Sequence, residues 1–184
     1  MKDKVATRQA AATDFAQLKA LYLDLLRLVY EEEDRAQAEP VAKRLEAALA
    51  ESPDFAESIR GEEVRSLIAE VRGDLTTATR SREAELRKIL ELHALTRGTS
   101  AWEAVVERYD FSDVSDRLDL LASLYDRAGD LERAIDTLRE SRRFCDAQGV
   151  PFDAQDMLDE LEQARDAGNS KNGGKLAPAP RRRR

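Results

Sequence analysis

Residues 115–144, SDRLDLLASLYDRAGDLERAIDTLRESRRF, constrain this chain more than any other stretch. Leu118, Leu121 and Tyr125 precede an Ala-Gly-Asp break, and Leu131, Ile135 and Leu138 follow it. Both sets recur at the three-and-four spacing of one helix face. Gly129 can take the left-handed conformation that ends a helix, and Asp130 can cap the next one. The break therefore predicts a very short turn between two antiparallel helices. The apolar stripes of such a hairpin need cover, so the rest of the chain is expected to supply further helical layers.

Leu118-x2-Leu121-Ala122-x2-Tyr125 followed by Ala134-x3-Leu138 resembles the tetratricopeptide repeat, a helical hairpin in which small residues sit where the two backbones approach. Ala122 and Ala134 take that place here. The resemblance covers residues 115–144, with shorter matches at 41–53 and 67–78. Leu118 stands where the family has Trp, Ala122 where it has a helix-contact Gly, Leu138 where it has an aromatic residue and Asp146 where it has a terminal Pro. The resemblance implies an all-α fold of antiparallel helical hairpins stacked as a short TPR-like α-solenoid or helical bundle. In that family the polar side of each first helix lines a concave groove that binds peptides. The corresponding residues here are Asp116, Asp119, Ser123 and Asp126. Members that grip the C-terminal carboxylates of chaperones use Lys, Arg and Asn on this side. Three aspartates would repel such a ligand and imply a basic or neutral protein partner, or self-association. An ordinary solvated helix face is the competing reading.

Upstream, Leu18, Leu21, Tyr22, Leu25, Leu26 and Val29 predict a long first helix from residue 13 to about 35. The acidic run over residues 31–34 reads as its solvated end and as the start of the next helix, because anions favour helix N-termini. Pro40 is expected to open that helix, which runs through Val41, Leu45, Ala48 and Leu49 and is stopped by Ser52-Pro53. A connection over residues 54–61 leads to an apolar face of Val64, Leu67, Ile68 and Val71. Gly73-Asp74-Leu75-x2-Ala78 then repeats the spacing of Gly129-Asp130-Leu131-x2-Ala134. Two readings stand at this point, a second hairpin turn or one helix running through Gly73, since a lone helical Gly costs only about 1 kcal/mol.

Leu86, Ile89, Leu90 and His93 share a stripe that ends at Arg97-Gly98, and His93 is expected to be partly buried and bonded to a backbone group. Ser100-x2-Glu103 has the spacing of a capping box for a short helix that places Trp102, Val105, Val106 and Tyr109 on one face, with Trp102 in the core. Ser112 or Asp113 is expected to cap the first helix of the central hairpin. A last helix, from about Phe152 to Arg165, uses Ala154, Met157, Leu158 and Leu161 to cover the end of the stack.

Charge divides the chain. Residues 171–184 hold six of the 30 basic residues, including Arg181, Arg182, Arg183 and Arg184, and none of the 37 acidic ones, which leaves the first 170 residues at a formal −13. The expected organisation is a TPR-like helical domain over 1–166 and a disordered basic tail over 167–184. An acidic body repels a phosphate backbone, so nucleic acid is expected only through the terminal arginines. No stretch approaches the roughly 20 apolar residues of a membrane span, and a soluble, cytoplasmic protein is expected. Cys145, the only cysteine, is expected to be buried and inert, because it falls on the hairpin's core side. There is no Gly-rich phosphate loop, metal-ligand pair or nucleophile-base set, so neither a cofactor nor catalysis is expected. The function these features support is a non-catalytic adaptor or scaffold. The alternatives are a nucleic-acid-associated protein using the arginine tail, or a regulatory helical subunit of a larger complex.

Overall fold

In the computed structural model, which describes residues 17–31 and 34–172, the regular structure is entirely helical. The chain divides between Asp110 and Phe111 into two compact units. The helix onset expected at residue 13, Glu32 and Glu33 of the acidic run, and the four terminal arginines lie outside the described residues.

The first unit contains α1 (residues 17–30), α2 (Arg35–Glu51), α3 (Pro53–Ala56), α4 (Ile59–Arg72), α5 (Leu75–Thr96) and α6 (Trp102–Arg108). Nine of the 14 residues of α4 are buried, which makes it the central element, with α2 and α5 packed on it. Leu25 and Leu28 of α1, Ala38, Val41, Ala42 and Leu45 of α2, and Val64, Leu67, Ile68 and Val71 of α4 form one buried apolar cluster. The second unit contains α7 (Phe111–Arg127), α8 (Leu131–Gln148) and α9 (Gln155–Asn172), with α8 packed on both neighbours. Leu118, Leu121, Ala122, Leu124 and Tyr125 meet Ala134, Ile135, Leu138 and Cys145 in its core, and Leu158 and Leu161 of α9 are buried.

The same turn closes a hairpin in each unit. Gly73 and Gly129 are both left-handed, at φ 72° and 78°. The Gly73 N–H donates to Glu70 O and the Asp74 N–H to Ala69 O; the Gly129 N–H donates to Asp126 O and the Asp130 N–H to Tyr125 O. This is the double-bonded helix ending that a left-handed glycine makes possible. Asp74 and Asp130 then accept from the N–H of Thr77 and Arg133 and cap the following helices. Gly73 therefore ends one helix, and the alternative of a single helix through it is excluded. Ala78 and Ala134, one turn into the second helix of each hairpin, are fully buried.

Several boundaries differ from those expected from the sequence. Pro40 lies inside α2, whose cap is Asp34, bonded to the Gln37 N–H. Pro40 removes the bond to the Ala36 carbonyl, but both residues are exposed, so solvent can satisfy that carbonyl. The connection over residues 54–61 is mostly helical: α3 is a single turn opened by Pro53, and Ser58 caps α4 through the Gly61 N–H. That single turn is a helix the apolar spacing does not signal, and the described helices number nine. Ser100 caps nothing; a turn around the left-handed Gly98 carries the chain to Trp102, and α6 starts without a side-chain cap. α7 begins at Phe111, which puts Asp113 in its first turn. α9 starts at Gln155 and continues to Asn172, past the last periodic residue, because backbone hydrogen bonds propagate a helix once it is nucleated.

Candidate functional site

The four residues singled out on α7 separate into two kinds. Asp116 and Asp126 are exposed, whereas Asp119 and Ser123 are half-buried. Asp119 lies on the flank of α7 that meets α8, near Ser141, and its Oδ1 is buried without a hydrogen-bond partner among the described residues. Burial first of all, and then the charges of Asp116 and Asp153, hold the Asp119 carboxyl above the usual carboxylate range; the nearby Ser141 hydroxyl opposes only part of this. The solvent-facing edge of the helix is Asp116, Leu120, Ser123 and Asp126, at helical spacing, with Leu120 36% exposed. Leu120 is not among the residues that the resemblance singles out. Its signal is that it sits four residues after Asp116 and outside the stripe of Leu118, Leu121 and Tyr125.

A second feature is a cluster of charged groups inside the first unit. Arg82 Nη1 donates to Glu85 Oε2 at 2.6 Å, with both side chains almost wholly buried, and Arg82 Nη2 lies 4.0 Å from Glu70 Oε1. Tyr30 donates to Glu70 at 3.1 Å, Tyr22 donates to Glu63, and Arg60 pairs with Glu63 at 2.6 Å while lying over the Tyr22 ring. Burial works against the Arg82 charge, but the surrounding Glu85, Tyr30, Glu63 and Glu70 outweigh it and hold the guanidinium firmly protonated. Burial and the adjacent glutamates likewise push the Tyr22 and Tyr30 hydroxyls well above the usual phenol range. Among the described residues Arg82 Nε has no hydrogen-bond partner.

The remaining singled-out residues are structural. His93 is buried and its Nε2 meets the Tyr109 carbonyl oxygen at 2.7 Å, the backbone bond expected of it. Trp102 is half-buried rather than central and meets the His93 ring edge-on at 5.6 Å. Cys145 is buried beside Ser115, 3.1 Å from its hydroxyl. Among the described residues no group of three His, Cys, Asp or Glu side chains gathers in a way that could hold a metal ion, and no helix is long and apolar enough to cross a membrane. Comparison with protein-family models, curated proteins and solved structures gave no match.

Proposed function

We propose that this chain is a non-catalytic interaction protein, an adaptor or scaffold, and that the α7 edge docks a basic segment of a partner protein. The observation that supports this is the placement of Asp116, Leu120, Ser123 and Asp126 along one edge of a helix whose opposite side is locked into a packed hairpin. Such an edge combines carboxylates with one apolar contact on a rigid support. Asp116, Ser123 and Asp126 are also among the residues that the resemblance to the tetratricopeptide repeat assigns to a peptide-facing side, and the acidic balance of the first 170 residues favours cationic over phosphate-bearing partners. Each exposed ion pair contributes only about 0–1 kcal/mol, so charge sets encounter rate and partner choice while apolar contact supplies most of the affinity.

The test is an affinity capture from the source organism's lysate, run in parallel with the wild-type chain and with Asp116→Lys/Asp126→Lys, and eluted with rising salt. A partner rich in Lys and Arg, retained by the wild type, released early by salt and lost from the double reversal, is the expected result. Identical protein sets on both baits would remove the α7 edge from consideration.

A further inference from the structure

We propose that the first unit also carries a binding groove for an amphipathic anion, an apolar chain or ring system that ends in a single carboxylate or phosphate. The groove has a volume of about 930 Å³ and lies between α1, the α3–α4 turn, the end of α5 and α6. That is within the about 300–1,000 Å³ of sites that enclose small organic ligands. Its walls are apolar, with Leu18, Phe55, Ile59, Leu92 and Val105 among them, and Leu23 beside them is left 51% exposed.

The charge around these walls runs against the character of the chain. Among the described residues Lys19, Arg60 and Arg108 border the groove and only Asp54 opposes them, in a protein with 37 acidic and 30 basic residues. Arg60 is held by Glu63. Lys19 and Arg108 are both exposed, Arg108 lying 5.7 Å from the Tyr109 ring, and neither makes an ion pair among the described residues. A basic segment would be repelled here, and a neutral apolar molecule would leave both cations without a counterpart. An apolar body with one anionic head satisfies the walls and the border together.

Trp102 is the only tryptophan and sits in α6, which supplies Ala104, Val105 and Arg108 to the groove, so its fluorescence reports occupancy. The full-length chain is titrated with dodecanoate, dodecyl phosphate and dodecanol, each below its micellar concentration. A saturable change with the two anions, about tenfold tighter or more than with the alcohol, is expected. The better of the two anions identifies the head group as carboxylate or phosphate. Lys19→Glu/Arg108→Glu should weaken anion binding about tenfold or more, and Ala104→Phe, which fills the groove from an exposed position, should abolish it, with unchanged circular dichroism in both. Equal affinity for dodecanol and dodecanoate, or an unchanged affinity in the double reversal, would overturn the proposal. So would the absence of any fluorescence change, or a dimer in sedimentation that Ala104→Phe dissociates, which would assign the groove to a second copy of the chain.

Discussion

Arg82 and Glu85 pair at 2.6 Å in the core of the first unit, at the places that Leu138 and Ser141 occupy in the second. The correspondence follows from the shared turn, since Arg82 and Leu138 each lie nine residues after its glycine. One hairpin thus closes on an ion pair where the other closes on an apolar contact. Removing only the cation takes its paired charge from a buried carboxylate, so Arg82→Leu should cost about 3–5 kcal/mol in urea unfolding. Arg82→Leu combined with Glu85→Ser reproduces the residues of the second hairpin and should recover most of that loss. Equal stabilities for the wild type and Arg82→Leu would show that the pair is hydrated.

Ala78 and Ala134 are equivalent under the same correspondence, and both have no exposed surface. Ala78→Leu and Ala134→Leu should each destabilise by about 1–3 kcal/mol, because a larger side chain at a close helix approach forces overpacking. Denaturation midpoints check this. A loss at one position and none at the other would break the equivalence of the hairpins.

Gly61 lies inside α4, where alanine would ordinarily be preferred by about 1 kcal/mol. A Cβ there would meet the Phe55 carbonyl oxygen at 2.2 Å and the Ala56 carbonyl oxygen at 2.6 Å, both rigid backbone atoms. Gly61→Ala should therefore lower the melting temperature despite its helix propensity. A rise would mean that the α3–α4 turn yields freely.

Asp119 supplies a pH dependence with a definite sign. Its folded-state pKa is raised, chiefly by burial, so the folded protein binds the proton more tightly than the unfolded chain. Stability from this group is fully present below the unfolded pKa, about 3.9 for a free aspartate, and declines as pH rises through the folded value. Asp119→Asn removes that decline and keeps a polar group beside Ser141. Its advantage over the wild type should be small near pH 3.5 and larger at pH 7, as read from paired urea titrations. An advantage that is constant with pH would place Asp119 in ordinary solvent.

The turns were legible because they depend on residue types with few conformational options. Gly129-Asp130 could be located from glycine's left-handed freedom and aspartate's capping, Gly73-Asp74 repeated its spacing but left a single helix open as the alternative, and the apolar stripes around them gave the all-α fold. The buried ion pair was not legible. Arg82 and Glu85, three residues apart, look in a sequence like a solvated helix pair, and packing against α4, with Tyr30 of α1 close by, takes them out of water. Asp116 and Asp119 were indistinguishable for the same reason, because the border between solvent and interface on α7 is set by where α8 lies. Pro40 misled in a different way. Proline favours a first helical turn, but Asp34 offered the cap, and the lost hydrogen bond fell on an exposed side.

The central claim is that the α7 edge is an interaction surface chosen by charge. Photo-crosslinking from a benzophenone amino acid placed at Leu120, in cells of the source organism, tests it most directly. A discrete crosslinked partner with a basic contact segment is expected, lost when Asp116→Lys and Asp126→Lys are added to the labelled chain while its circular dichroism is unchanged. Crosslinks that persist at the same yield in the charge-reversed chain, or no crosslinked partner at all from Leu120, would contradict it.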